Sequence, residues 1–170
     1  IKNIIYPWDN EYNSKRTYFS LTVQQRPLFI VVPTNTKELE ILLDYIKIKK
    51  LTIRFMNGRH SSQILNPEVL VDLSSFKSIQ INDNFITVGA GLTQGEVNQY
   101  LFDLGKIHYC HFGHPTRNYY HNLKSTTTIS SGSAASVGVG GICTAGGIGV
   151  LPRTYGLTID SITEYIITLP

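Results

Sequence analysis

Apolar positions along the first half of the chain switch between two spacings, and the switches mark out its elements. Leu28, Phe29, Ile30, Val31 and Val32 form a continuous apolar run stopped by Pro33, as in a strand buried on both faces. Leu39, Leu42, Leu43 and Ile46 then recur at helical spacing, and Asn35 stands three residues before Glu38 as in a capping box, so a helix is expected over 36–49. Its lysines gather at the carboxyl end, where the helix dipole favours them. Further strands are expected over 51–55 and 69–73. Strand, helix and strand in succession imply a right-handed parallel unit. The loop leaving its second strand, 56–62, would open at the carboxyl edge of the sheet, where ligands bind in such folds.

The second half is more broken. Runs 79–81 and 85–88 flank Asn82-Asp83-Asn84, which is turn chemistry, and predict a β-hairpin. Thr93 and Glu96 repeat the capping spacing ahead of Val97, Tyr100, Leu101 and Leu104, so a helix should run to about residue 104 and stop at Gly105. Residues 162–169 read as a strand ending at Pro170, and 1–27 as an irregular lead-in containing a short helix.

At 170 residues and 42% hydrophobic, the chain can bury one core, as a single domain or part of one. A net charge of +3 with no basic block makes nucleic acid an unexpected partner. Membrane insertion is not expected either, because no apolar run reaches the roughly 18 residues of a span. The chain starts at Ile1 with no signal-like apolar core after it, which reads as a processed or partial product. Cys110 and Cys143 make no disulfide framework, and the absence of an N-x-S/T acceptor weighs against a eukaryotic secretory route without fixing a location.

Seven of the fourteen glycines lie between Gly138 and Gly156, so the backbone there does something side chains would obstruct. Successive exposed N–H groups form concave nests for anions such as a pyrophosphate. The two commonest phosphate loops do not fit. Gly147-Ile148 stands where a P-loop needs Lys-Ser/Thr, and Cys143 stands where a Rossmann fingerprint needs its third glycine. Apolar Val137, Val139, Ile142, Ile148, Val150 and Leu151 interleave the glycines, as in a packed segment rather than a linker.

Val137-Gly138-Val139-Gly140-Gly141, Gly146-Gly147, Gly149, Leu151, Arg153, Tyr155-Gly156-Leu157 and Asp160 together resemble the second flavin-binding segment of the berberine-bridge-enzyme-like, vanillyl-alcohol-oxidase-type (PCMH-type) FAD oxidoreductases. Ile142 replaces that family's histidine and Ala145 its first glycine of three. The loop 56–62 carries a second resemblance: Ile53, Arg54, Gly58, His60 and Ser61 coincide with the family's I-R-V-R-S-G-G-H-S, whose histidine is commonly bonded to the flavin 8α-methyl group. Val69 to Leu73 resembles the family's V-I-D-L-S strand, with Asp72 read as structural. Gly89-Ala90-Gly91 matches a segment near the adenine end.

The resemblance implies an α+β fold: a small parallel βαβ subdomain over 1–75, then a mixed or antiparallel sheet subdomain with helices over 76–170, with an insertion at about 107–128. It implies FAD as cofactor, with His60 as covalent anchor. Asn57, Gly58, Arg59, Ser61, Gly138, Val139, Gly140, Gly141, Gly146, Gly147, Tyr155, Gly156 and Asp160 would line the cofactor. Arg59 replaces a family glycine, and its guanidinium would either pair with a phosphate oxygen or block the site. Ala134 stands where some members carry a second flavin-linked cysteine, so a second bond is not expected there. Cys143 reads as a small buried apolar residue.

The implied activity is oxidation of an alcohol, sugar or related C–H bond by hydride transfer to flavin, with reoxidation by O2. A small-molecule substrate, the rest of the parent chain and self-association through the insertion are the partners expected. Catalytic residues are unknown and are expected beyond residue 170, in a substrate domain absent from this chain. The alternative is a structural or interaction protein, such as a viral particle component, that keeps the fold with or without flavin. His108, Cys110, His111 and His114, with His121, invite a metal reading, but their spacing fits no named zinc motif; a tyrosine- and histidine-rich surface loop is the plainer account, and no metal site is assigned.

Overall fold

The computed structural model describes residues 1–63, 65–82, 85–104, 132–149 and 152–169. The insertion at 107–128, with its histidines, lies outside the described residues. In chain order the elements are β1 (Ile4–Ile5), α1 (Tyr12–Arg16), β2 (Phe29–Val31), α2 (Thr36–Lys49), β3 (Ile53–Met56), β4 (Val69–Asp72), β5 (Ile79–Ile81), β6 (Ile86–Val88), α3 (Gln94–Asp103), α4 (Val139–Thr144) and α5 (Pro152–Tyr155), followed by a 3₁₀ turn, Thr158–Ser161.

The first sheet has the order β1-β2-β4-β3. β2 and β3 are both parallel to β4, and β1 adds an antiparallel edge to β2. The expected parallel unit is therefore present with one difference. β2 and β3 are not neighbours, because β4 inserts between them and buries all four of its residues. An all-apolar V-L-V preceding Asp72 suits the central position, where both faces are covered.

Alternation along these strands makes two cores. Ile30 and Leu70 point to one face, where Tyr12, Tyr18, Val23 and Met56 cover them. Val31, Val69 and Val71 point to the other, against Leu39, Leu42, Leu43 and Ile46 of α2. Asn35 caps α2 by accepting the Glu38 N–H at 3.0 Å, and Lys50 ends it in the left-handed region at φ 53°. A third cluster joins β5 and β6 to α3 and α4 through Leu92, Val97, Leu101 and Val139.

Two expectations fail locally. Residues 162–169 are not in strand pairing, since among the described residues nothing offers them a ladder, and Ile166, Ile167 and Leu169 are exposed. The lead-in 1–27, expected to be irregular apart from a short helix, also contributes β1 to the sheet, and short helical turns occur in the glycine-rich stretch, for which the sequence predicts no element.

Candidate functional site

β3 ends at Met56, and the loop that follows lies at the carboxyl edge of the parallel sheet. Asn57 pins its start, donating through Nδ2 to the carbonyls of Ala90 at 3.0 Å and Leu92 at 2.7 Å. Gly58 comes next because no side chain fits: a Cβ there would lie 2.2 Å from the nitrogen of Gly138 and 2.4 Å from the carbonyl oxygen of Ser136. The loop after β3 and the start of the glycine stretch thus touch backbone to backbone.

Arg59 adopts φ 59°, the left-handed region, at the position where the resembled pattern carries glycine. Its guanidinium donates to the Ser14 carbonyl at 3.0 Å and lies 3.8 Å from Asp72 Oδ2. Lys15 Nζ meets the same carboxylate oxygen at 3.4 Å, and Asp72 is fully buried. The cation is committed to α1 and the end of β4, so it does not sit across the loop. Nearby, burial pushes the Tyr18 hydroxyl pKa up, against the pull of the Arg54 guanidinium 5.0 Å from its ring centroid.

His60 is held on two sides. Its Nε2 shares a 2.8 Å hydrogen bond with Ser136 Oγ, and Phe19 stacks on the imidazole with centroids 4.7 Å apart and planes at 17°. Phe19 itself is fixed by its N–H, which donates to the Arg59 carbonyl at 3.0 Å. Ser61 Oγ accepts from Arg54 Nη2 at 2.8 Å.

The glycine stretch is laid against this loop by main-chain bonds. Gln94 N–H donates to Val137 O at 2.9 Å, and Val139 N–H to Leu92 O at 2.8 Å. Gly140 packs on Ala90. Gly146 and Gly147, at φ 94° and 73°, turn the chain so that their carbonyls accept from Ile159 and Thr158. Asp160 Oδ2 accepts from Leu157 N–H at 2.7 Å and stands beside Gly156, so its role in the structure is to hold that turn. Tyr155 closes α5, and its side chain lies outside what is described. Cys143 is half-buried against the third cluster, and burial raises its thiol pKa, which keeps it protonated.

The residues fit a flavin dinucleotide. Among the described residues, no acceptor takes the N–H groups of Gly58, Arg59 or His60. Among the described residues, Gly141 and Gly146 have nothing within 4 Å of where a Cβ would lie, so one side of each leaves room there for a close ligand. His60 keeps Nδ1 free of any partner among the described residues. A separate shallow cavity of about 410 Å³, lined by Arg26, Leu28, Pro67 and Glu68, sits at the amino-terminal edge of the same strands and contributes nothing to this arrangement. Among the described residues no group of His, Cys, Asp and Glu could hold a metal ion, and no helix is long and apolar enough to cross a membrane.

Sequence reasoning found both loops and read Asp72 as structural, but it did not give the partners of Asp72, and the roles of Ser136 and Phe19 emerge only in three dimensions. Signals existed for Ser136, which adjoins the glycine motif, and for Asp72, an acid in an otherwise apolar strand.

Known proteins resemble this chain over most of its length. The family described as FAD binding domain matches residues 27–117. The FAD-linked oxidoreductase YgaK of Bacillus subtilis (strain 168), itself uncharacterized, is 30% identical over 161 residues, covering 92% of this chain and 31% of its own. Reticuline oxidase of Papaver somniferum is 28% identical over 158 residues, covering 88% of this chain and 26% of its own. Wild-type BBE-like 1 of Physcomitrella patens superposes with a TM-score of 0.74 at 25% identity, over 93% of this chain and 31% of that one. The chain therefore spans about a third or less of the length of these relatives.

Proposed function

The chain belongs to the FAD binding domain family, in its berberine-bridge-enzyme-like branch of FAD-linked oxidoreductases, and from that premise we propose that it is the cofactor-holding part of an oxidase whose FAD is tethered at His60. The observation that carries this reading is the meeting of the two motif loops through their main chains, with Gly58 against the backbone of Ser136 and Gly138. Neither loop alone makes a cradle.

Bound FAD supplies the hydride acceptor; the protein supplies binding, orientation and exclusion of water. The N–H groups of Gly58, Arg59 and His60 receive the pyrophosphate, and the open sides of Gly141 and Gly146 let backbone approach the ring system. Val139 and Gly140 support that backbone from behind, on Leu92 and Ala90. Asn57 and the Arg59–Asp72 pair hold the loop in shape. The substrate is an alcohol, sugar or related C–H compound, with O2 as electron acceptor, and the groups that bind and deprotonate it lie outside these 170 residues.

The test is peptide mapping of the full-length protein after acid precipitation. The expected result is a yellow protein with an FAD-sized adduct on the peptide containing His60, and a His60→Ala variant that releases its flavin into acid. Flavin released by acid from the unaltered protein would remove the tether but keep the cofactor. A colourless protein that takes up no added FAD would defeat the whole reading.

A further inference from the structure

His60 and Ser136 come from loops 76 residues apart, yet Nε2 and Oγ are 2.8 Å from each other. A neutral imidazole has one donor and one acceptor nitrogen, and the hydrogen bond made by one decides what the other can do. Phe19 fixes the plane of the ring but, being apolar, has no say over its tautomer. Ser136 is thus the polar group in contact with the imidazole among the described residues.

Resting on the tether reading above, we propose that Ser136 is a positioning residue for flavin attachment: its Oγ occupies Nε2, so that Nδ1 is the ring nitrogen left to bond to the flavin, and in the reactive tautomer Oγ accepts from Nε2–H while Nδ1 carries the lone pair. In the attachment step a C–H bond of the 8α-methyl group is exchanged for a C–Nδ1 bond. The methyl proton leaves to solvent, and the Nε2 proton leaves through the Ser136 hydroxyl, which is itself exposed. The two electrons left behind reduce the isoalloxazine, and dioxygen takes them up with two protons to give hydrogen peroxide. If Ser136 is removed, both ring nitrogens compete for the proton, and neither is held as nucleophile.

The substitution Ser136→Ala deletes one exposed hydroxyl and leaves intact the main-chain carbonyl that faces Gly58, so the cradle should still form. The experiment uses full-length protein made in a riboflavin-starved host and then given FAD, following flavin that survives acid precipitation. Positioned proton transfer of this kind is typically worth 10²–10⁴-fold, so Ser136→Ala should slow attachment by about tenfold or more while still binding FAD reversibly. Ser136→Thr, which keeps the hydroxyl, should restore the rate. NMR of the isolated flavin peptide should show Nδ1 linkage in the unaltered protein, and any adduct formed by Ser136→Ala should contain some Nε2 linkage.

An unchanged rate and linkage in Ser136→Ala would overturn the proposal, as would Ser136→Thr behaving like Ser136→Ala, or loss of reversible FAD binding in Ser136→Ala. If the unaltered protein binds FAD but never retains it in acid, the tether reading fails first, and this proposal with it.

Discussion

Asp72 shows how a single buried side chain can shape a loop on another strand's end. Its Oδ2 faces Lys15 and Arg59, and its Oδ1 accepts the Ser74 N–H at 2.9 Å. A left-handed φ at a residue with a Cβ costs about 1 kcal/mol, and the pairing offsets that cost at Arg59. Breaking an ion pair whose two members are both buried costs more than the case here, where both cations are partly exposed. Asp72→Asn is therefore expected to lower the unfolding free energy by roughly 1–3 kcal/mol, in the range for an unsatisfied buried partner, as read from urea titration. An unchanged midpoint would mean the carboxylate contributes nothing. The sequence made part of this legible. A family glycine replaced by Arg59 flags a strained position, but whether the guanidinium turns toward phosphate or toward α1 depends on Asp72 and Ser14, which lie at other points of the chain.

Helices show the same division between local and distant information. α2 and α3 could be read to within a residue or two, since each carries its own cap and its own apolar stripe. α4 could not, because V-G-G-I-C-T has poor intrinsic helicity and folds only where Leu92 and Ala90 support it. The cap on α3 also predicts a pH response. Burial tends to raise the Glu96 carboxyl pKa, but hydrogen bonds from Lys77 and from Thr93 together outweigh it and leave the pKa below the ordinary 4.5. A depressed folded pKa means stability that is fully present above the unfolded value and is lost as pH falls through the folded one. Glu96→Gln should thus be less stable than the unaltered protein at neutral pH, with the gap narrowing below about pH 4.5, as melting temperatures between pH 7 and 3 would show. A gap that stays constant with pH would rule out the carboxylate as its source.

At the scale of the whole molecule, the order β1-β2-β4-β3 places the loop after β3 at the sheet's edge, where the glycine stretch can reach it. Local pattern gave β2 to β6 but not the two-residue β1, and not the strand order, because which strand takes the centre depends on how completely each is covered. It also misjudged 162–169, whose apolar residues resemble a strand but have no ladder among the described residues. The backbone contact between Gly58 and Gly138 is the joint of the arrangement. Gly58→Ala should force the loops apart, lowering flavin content at least several-fold and stability by about 1–3 kcal/mol, as overpacking does. Full flavin content in that variant would show the joint to be dispensable. The joint also sets a timetable for biosynthesis. A nascent chain that has just exposed His60 has no Ser136 to meet it until 76 more residues have left the ribosome, so the two loops cannot close on each other while the first is being made.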